Sequence, residues 1–193
     1  MQKRVFQYNS GSMRKRLLVL SDTHGSVSVL ASVLSWAKGL APDAAVFLGD
    51  GIADFEAAAS IAGFSCHCHM VQGNNDFGFS HKEALTFDFA ESRFFACHGH
   101  RYTHRSSLDA LVAAARNNGA TAALFGHTHV PYAGEADGIL LVNPGSVSRP
   151  RSNIGATFAS MACGEGEPIK AEFWGIDSAG FISAVSVGET DWI

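Results

Sequence analysis

The stretch LLVLSDTHG at residues 17–25 decides the fold of this chain. Four apolar residues in a row, followed at once by polar residues and a glycine, are typical of a buried strand that ends in a tight loop. Five further stretches repeat this design, namely AVFLGDG at 45–51, HMVQGNND at 69–76, FFACHGH at 94–100, ALFGHTH at 123–129 and ILLVNPGS at 139–146. We therefore expect a series of buried strands, each followed by a loop that carries polar side chains.

Helical patterns separate several of these strands, at residues 27–38, 52–62 and 106–118. In the last pattern one helical face is apolar, at Leu108, Leu111, Val112 and Ala115. Alternation of strand and helix predicts parallel pairing and an α/β class. After Pro150 three strand-like runs follow without helices, and we expect them to form an antiparallel meander that closes a second sheet.

Length and composition indicate a single domain. A chain of 193 residues that is 47% hydrophobic can bury one sizeable core but not two. Residues 1–13 (MQKRVFQYNSGSM) lack periodicity and contain Ser-Gly-Ser, so we predict a flexible N-terminal extension, with Met13 as an alternative start. The single domain is expected to span residues 14–193.

Charge and cysteine usage restrict the partners and the compartment. A net charge of −4 gives no global attraction to nucleic acid, so a stable nucleic-acid complex is not expected. Four cysteines with apolar neighbours do not form a disulfide framework and favour a reducing cytoplasm. No apolar run reaches the ~18 residues that a membrane helix needs. A homo-oligomer is compatible with the sequence, although no interface patch can be assigned.

Metal-competent side chains stand at the ends of the predicted strands. In α/β sheets the loops at the carboxyl ends of strands converge on one edge, where ligands bind. A single Asp-x-His or Gly-Asn pair is common in turns, but the same arrangement after five strands is not expected by chance. The side chains concerned are Asp22, His24, Asp50, Asn74, His98, His127 and His129.

This ligand set favours two catalytic ions. Carboxylate, imidazole and amide ligands suit Mn, Fe, Zn or Ni, and the absence of thiolates argues against a structural zinc site. Seven side chains are too many for one ion that must also admit substrate, whereas two ions that share one bridging carboxylate use them all.

The motifs SDTHG, GDGIAD, GNND, CHGH, GHTH and NPGS, in this order, resemble those of the calcineurin-like metallophosphoesterases. They are most similar to the small bacterial and archaeal phosphodiesterases of that superfamily, over about Leu17 to Arg151. The resemblance implies a four-layer sandwich of two mixed sheets flanked by helices, and a phosphate ester as substrate. It also implies two divalent ions, with manganese expected and iron, zinc or nickel as alternatives.

By the same resemblance, one ion is held by Asp22, His24 and His129. The other ion is held by Asn74, His98 and His127, and Asp50 bridges the two. Such ions lower the pKa of a bridging water, so hydroxide can attack phosphorus near neutral pH. The positive charge left over in the site attracts a phosphate.

Asn75 departs from the pattern of many superfamily members, which carry a proton-donating histidine directly after the ligand asparagine. An amide cannot donate a full proton at neutral pH. The small phosphodiesterases likewise tend to lack this histidine, so Asn75 favours a phosphodiesterase, with either slower turnover or leaving groups that need little help from an acid. His100 is a substitute candidate or a packing residue, and the predicted catalytic set is Asp50, Asn74, His98 and His100.

Two acidic residues and one Cys-His run allow more than one interpretation. Asp54 and Asp76 lie close to ligand positions, where they could orient a ligand or simply cap a turn or helix. The run Cys66-His67-Cys68-His69 suggests zinc, yet alternation on a strand puts the cysteines and the histidines on opposite faces. We therefore do not expect a metal site there.

The remaining polar candidates lie outside the ligand set. His81 and His104 are expected to be exposed loop or helix-start histidines. The motif Asn143-Pro144-Gly145-Ser146 is expected to form a tight turn beneath the site. Arg149 and Arg151 either reach a substrate phosphate or are simply solvated.

Two other functions compete with the phosphodiesterase. One is a phosphomonoesterase of the same fold. The other is a non-enzymatic scaffold that resembles the retromer subunit of this superfamily. A degenerate scaffold should have lost some ligand positions, and because all seven are present we favour an enzyme.

Overall fold

Strand β1 (Lys15–Leu20) is buried on both faces, as its run of four aliphatic residues requires. Leu17 and Val19 point into one apolar cluster, and Leu18 and Leu20 point into another. This strand belongs to a computed structural model that describes residues 14–103 and 107–188. The predicted extension, His104 and the predicted helix start at Ser106 lie outside the described residues.

The described part of the chain forms eleven strands and three α-helices. Their bounds are β1 (Lys15–Leu20), α1 (Val27–Ala37), β2 (Ala44–Phe47), α2 (Ile52–Ala62), β3 (His67–Met70), β4 (Ala84–Phe89), β5 (Ser92–Cys97), α3 (Asp109–Asn117), β6 (Ala122–Leu124), β7 (Pro131–Ala136), β8 (Ile139–Pro144), β9 (Ala156–Cys163), β10 (Lys170–Ile176) and β11 (Ile182–Val185). All six strands expected from the polar-ended stretches are present.

The first sheet has the strand order β11-β10-β9-β1-β2-β3. Strands β1, β2 and β3 are parallel, as the strand and helix alternation predicts. The segment after Pro150 does form an antiparallel meander, but it does not close a second sheet. Instead β9 pairs antiparallel with β1, with Leu17 opposite Met161, so the meander extends the first sheet.

The second sheet has the order β4-β5-β6-β8-β7 and is built entirely from residues 84–144. Strands β5, β6 and β8 are parallel to one another, whereas β4 and β7 pair antiparallel at the two edges. Helix α3 packs Leu111, Val112 and Ala115 onto this sheet, which is the apolar face predicted from the sequence.

Three apolar clusters separate four layers of secondary structure. Val46, Phe94 and Met161 belong to the cluster between the two sheets. A second cluster joins the outer face of the first sheet to α1 and α2, and a third joins the outer face of the second sheet to α3. The fold is therefore the expected four-layer α/β sandwich. None of the helices within the described residues combines the length and hydrophobicity needed to cross a membrane.

Candidate metal centre

The seven candidate ligands follow the carboxyl ends of strands from both sheets. Asp22 and His24 follow β1, Asp50 follows β2 and Asn74 follows β3. In the second sheet His98 directly follows β5, and the loop after β6 carries His127 and His129. Parallel pairing brings these strand ends to one edge, which is where α/β proteins bind ligands.

Five of the seven ligand positions have a left-handed backbone. The residues with φ between 45° and 68° are Asp22, His24, Asp50, His127 and His129. Only three other described non-glycine residues share this region, which costs free energy for residues with a side chain. The flanking Gly49 and Gly51 also have positive φ, at 92° and 143°, where glycine carries no such penalty. The loops are thus bent sharply to aim side chains at the sheet edge.

One group of converging atoms comes from Asp22, His24 and His129. The Nε2 atoms of the two histidines are 3.1 Å apart, and the Nε2 of His129 lies 3.2 Å from Asp22 Oδ1. His24 Nε2 is 3.7 Å from the same oxygen. All three potential ligand atoms lie within 4.8 Å of one another, close enough for a single ion to contact them.

A second group comes from Asp22, Asp50 and His98, all buried. His98 Nε2 is 3.4 Å from Asp50 Oδ2 and 4.0 Å from Asp22 Oδ1. The same Asp50 oxygen is 3.7 Å from His24 Nε2. Asp50 therefore lies near a histidine of each group, and Asp22 belongs to both groups.

Hydrogen bonds to backbone carbonyls orient two of the imidazoles. We assign the Nδ1 proton of His98 to the Leu48 carbonyl, at 2.7 Å, and that of His129 to the Arg149 carbonyl, at 2.6 Å. Each Nε2 then presents its lone pair to the carboxylates. Metal-ligating histidines have this arrangement, because the carbonyl fixes both tautomer and ring orientation.

Two buried acceptors at the centre of the site have no partner among the described residues. They are Asp22 Oδ1 and His98 Nε2. Unpaired buried acceptors are costly, and a cation between them satisfies both. Together with the carboxylate and imidazole chemistry, these atoms fit a divalent ion.

The protonation of the group follows from burial and mutual attraction. Burial alone raises the pKa of the Asp22 carboxyl, but attraction to the imidazoles of His129, His24 and His98 outweighs burial and holds the pKa well below its usual value. Asp50 behaves similarly: burial opposes ionisation, while His98 and Asn75 lower its pKa to about 2. Burial lowers the pKa of His98, yet Asp50 and Asp22 raise it more, so the net shift is upward.

The other two candidate ligands lie at the margin of these groups. Asn74 is exposed, in a turn directly after Gly73. The ring of His127 is 5.2 Å from that of His98, and its backbone N–H donates to Asp22 Oδ2 at 3.0 Å. Burial and the charge of His98 lower the pKa of His127. His127 is therefore neutral at pH 7, the form in which imidazole binds a metal.

Asn75 takes a position that the sequence did not reveal. Its backbone N–H donates to Asp50 Oδ1 at 2.8 Å, and its side-chain amide donates to Asp50 Oδ2 at 2.5 Å. The residue that replaces the histidine of many superfamily members thus contacts the central carboxylate directly and holds it in place.

His100 lies beside the site. Its ring centroid is 5.6 Å from that of His98 and 6.2 Å from that of His127. Its Nδ1 atom is buried and without a hydrogen-bond partner among the described residues. Burial and the charge of His98 lower its pKa, so His100 is neutral at pH 7.

Asp76 organises the loop that carries Asp50. Its buried carboxylate accepts four backbone N–H groups, from Asp50, Gly51, Ile52 and Gly73, at 2.7 to 2.9 Å. It therefore joins the loop after β3 to the loop after β2 and to the start of α2. Both roles weighed for this residue apply, because it caps the helix and orients the ligand loop. Asp54 acts in the same way on a smaller scale, accepting the Gly25 N–H at 2.7 Å.

The motif at 143–146 supports the site from below, as expected. Asn143 donates to the Gly126 carbonyl at 2.9 Å and accepts the Gly145 N–H at 2.9 Å, which forms a tight turn. The Ser146 hydroxyl donates to the Asp22 carbonyl at 2.8 Å. Gly126 has no room for a side chain, since a Cβ would lie 2.8 Å from Asp22 Oδ2 and closer still to Ser21.

The Cys-His run on β3 is divided between two faces, as its alternation predicts. Cys66 and Cys68 pack in the cluster on the helix side, whereas His69 stacks on Phe87 with ring centroids 4.0 Å apart. All four cysteine thiols are free.

His81 is partly buried rather than fully exposed, and its ring centroid lies 6.1 Å from that of Phe79.

Arg149 and Arg151 are exposed and line a cleft of about 450 Å³ beside His24 and His129. The Arg149 guanidinium also donates to the His24 carbonyl at 3.3 Å. A second cleft of about 390 Å³ lies beside His24 and Asp50 and contains Phe77, which no sequence pattern singles out. Both clefts include Asn75.

The sequence is similar to those of known metallophosphoesterases. The model of the calcineurin-like phosphoesterase superfamily domain matches residues 16–166. A probable metallophosphoesterase of Mycoplasma genitalium is 29% identical over 141 residues, which are 71% of this chain and 80% of that protein. A second such protein, from Bacillus subtilis, is 26% identical over 146 residues, which are 75% of this chain and 82% of that protein.

Solved structures show the same fold. A conserved Streptococcus pneumoniae protein, described as a predicted phosphoesterase, is 26% identical and superimposes with a TM-score of 0.70, over 91% of this chain and 99% of that one. Vacuolar Protein Sorting 29 of Cryptosporidium parvum gives a TM-score of 0.73 at 17% identity, over 89% of this chain and 96% of that one.

Proposed function

We propose that this chain, which belongs to the calcineurin-like phosphoesterase superfamily, hydrolyses phosphodiesters with two divalent metal ions. The observation that carries the proposal is the convergence of Asp22, Asp50, His24, His98 and His129, with two buried acceptors left unpaired at its centre. Such a group is unfavourable without a cation and well suited to hold one.

In this proposal Asp22, His24 and His129 hold one ion, and Asn74, His98 and His127 hold the other. Asp50 is shared, which its distances of 3.7 Å to His24 and 3.4 Å to His98 support. When bound, two such ions supply a hydroxide near neutral pH and neutralise charge on the phosphoryl oxygens. Manganese is our proposed metal, with iron, zinc and nickel as alternatives.

The residues around the ions decide which esters react. Asn75 donates its amide to Asp50 and cannot protonate a leaving group. His100, the proposed substitute, is neutral at pH 7 because its pKa is lowered. It can therefore accept a proton or a hydrogen bond, but it holds no proton to release as an acid. Esters whose leaving group departs unaided are the proposed substrates.

The preference for diesters is tested with two nitrophenyl substrates and four proteins. We expect the manganese-loaded wild type to hydrolyse bis(p-nitrophenyl) phosphate and to act poorly on p-nitrophenyl phosphate. Asp50→Ala and His98→Ala should abolish the diester activity. His67→Ala is the matched control, because His67 is an exposed histidine on β3 and should leave the rate unchanged.

The competing functions give different results in the same assay. A phosphomonoesterase prefers p-nitrophenyl phosphate. A non-enzymatic scaffold hydrolyses neither ester with any of the four metals. Full activity in Asp50→Ala would overturn the two-metal site itself.

A further inference from the structure

Two clefts meet at the metal centre, and they differ in chemistry. The aromatic cleft, defined by Asp54, Phe77 and Phe79, opens beside Asp50. The arginine cleft, defined by Arg149 and Arg151, opens on the side of His129. His24 and Asn75 line both clefts, so a phosphate ester held at the centre can direct one substituent towards each side.

Phe77 places an aromatic ring in solvent at the mouth of the aromatic cleft. Its exposed fraction is 83%, although an apolar side chain of this size is usually buried. It directly follows Asp76, whose carboxylate holds four backbone N–H groups. The backbone on which the ring stands is therefore fixed. An exposed ring on a held backbone offers a flat surface on which another ring can stack.

Charge decides which substituent enters which cleft. Asp54 contributes a carboxylate to the aromatic cleft, and this repels a second anionic group. The two guanidinium groups of the arginine cleft attract such a group. A neutral ring is thus favoured on the Phe77 side, where it gains stacking without electrostatic cost.

We propose that Phe77 is a specificity residue that stacks on a neutral aromatic group, an aryl ring or a nucleobase, in the ester substrate. The inference rests on the proposed phosphodiesterase function, since it names the substituent of the ester that this function cleaves. Stacking of a ring on an aromatic side chain strengthens binding by about fivefold or more.

Calorimetry with two non-hydrolysable probes tests the proposal. Phenylphosphonate and methylphosphonate carry the same charged group and differ only in the ring, and each is titrated into the manganese-loaded protein. We expect the wild type to bind phenylphosphonate at least about fivefold more tightly than methylphosphonate. Phe77→Ala should reduce this ratio to about one, whereas Phe77→Trp should maintain or increase it.

Phe181→Ala is the matched control. Phe181 is 74% exposed but lines neither cleft, so its removal should leave the ratio as in the wild type. Equal affinity for the two probes in the wild type, or an undiminished ratio in Phe77→Ala, overturns the stacking role. Because both variants change exposed residues, their folds should be unaffected, and circular dichroism checks this.

The calorimetry and the hydrolysis assay test the stacking role and the proposed function separately. If the wild type hydrolyses bis(p-nitrophenyl) phosphate while the two probes bind equally, the phosphodiesterase stands and the stacking role fails. If no metal-dependent hydrolysis is found while phenylphosphonate still binds preferentially through Phe77, the phosphodiesterase fails and the site remains an aryl-phosphonate binding site.

Discussion

Asp22 Oδ1 and His98 Nε2 lie 4.0 Å apart in the interior, and neither atom has a hydrogen-bond partner among the described residues. Two facing acceptors require a cation between them, and a proton is the smallest that can serve. Despite burial, Asp50 and Asp22 raise the pKa of His98, so its imidazole binds a proton more readily than a free imidazole does when no metal is bound. Proton and metal are therefore alternative occupants of one position.

The stability of the metal-free protein should fall as pH rises above 6.5. His98 has a folded-state pKa above its ordinary value of 6.5, so its contribution is fully present below pH 6.5 and is lost as pH rises through the folded pKa. Urea unfolding in EDTA at pH 6 and pH 8.5 measures this change. The fall should be smaller in His98→Gln, which has no proton to lose at this position.

Manganese should reverse this trend. Ligand imidazoles must be deprotonated, so metal binding strengthens with pH and stabilises the folded state more at pH 8.5 than at pH 6. A metal-free protein whose stability is the same at the two pH values would contradict the paired role of His98.

Asp76→Asn should destabilise the protein by about 3 kcal/mol, because the amide leaves buried backbone N–H groups unpaired at a cost of ~1–3 kcal/mol each. Metal affinity should fall with it, since two of these N–H groups belong to Asp50 and Gly51. Urea unfolding and manganese titration measure the two effects.

The control for Asp76 is Asp137→Asn. Asp137 forms an exposed ion pair with Arg116, and such pairs contribute at most ~1 kcal/mol. Equal losses in the two variants would show that Asp76 has no special part in the loop.

Gly126→Ala should destabilise the protein by about 2 kcal/mol or more, because the added methyl group overlaps Ser21 and the Asp22 carboxylate. Either the carboxylate or the loop after β6 must move, so manganese affinity should fall as well. Thermal unfolding with and without manganese gives both quantities. Gly39→Ala is the comparison, since a Cβ there meets nothing within 4 Å, and we expect no loss of metal affinity.

Asn75→His should broaden the range of leaving groups. A histidine at this position can hold a proton near neutral pH, whereas the amide cannot. We expect the ratio of activity on methyl phenyl phosphate to activity on bis(p-nitrophenyl) phosphate to rise by about tenfold or more. Asn75→Ala is the control, because it also removes the hydrogen bond from the side-chain amide to Asp50 but adds no acid. If Asn75→Ala raises the ratio as much, proton donation is not the cause.

The sequence predicted the layers and the edge that holds the site because both follow from local signals. The run Leu17 to Leu20 predicts a strand that is buried on both faces. Polar residues directly after such a strand must lie at the edge of the sheet. The placement of β9 against β1 was missed, since strand pairing over such a distance leaves no local trace. The sequence predicts that the segment after Pro150 forms a meander, but it does not predict which sheet the meander joins.

Within the site, the type of residue was predictable and its partners were not. Asp76 could be singled out by its position near a ligand, yet only the fold shows that it holds four N–H groups. The sequence shows that Asn75 cannot donate a proton as a histidine would. Its hydrogen bond to Asp50 is not predictable, because the two residues lie in loops that follow different strands. No sequence pattern predicts the exposure of Phe77, because the exposure of a single aromatic residue depends on how the folded surface is arranged.

The first sheet is complete around β1 only when β9 has paired with it. The ribosome delivers all seven proposed ligands, Asp22 to His129, before it delivers Ser146 or β9. Until those later residues fold, the Asp22 loop lacks the hydroxyl that holds its carbonyl, and β1 lacks one of its two neighbouring strands. Contacts of such long sequence separation form slowly. We therefore expect the nascent chain to be unable to retain metal, and loading to be a post-translational step that follows completion of the first sheet.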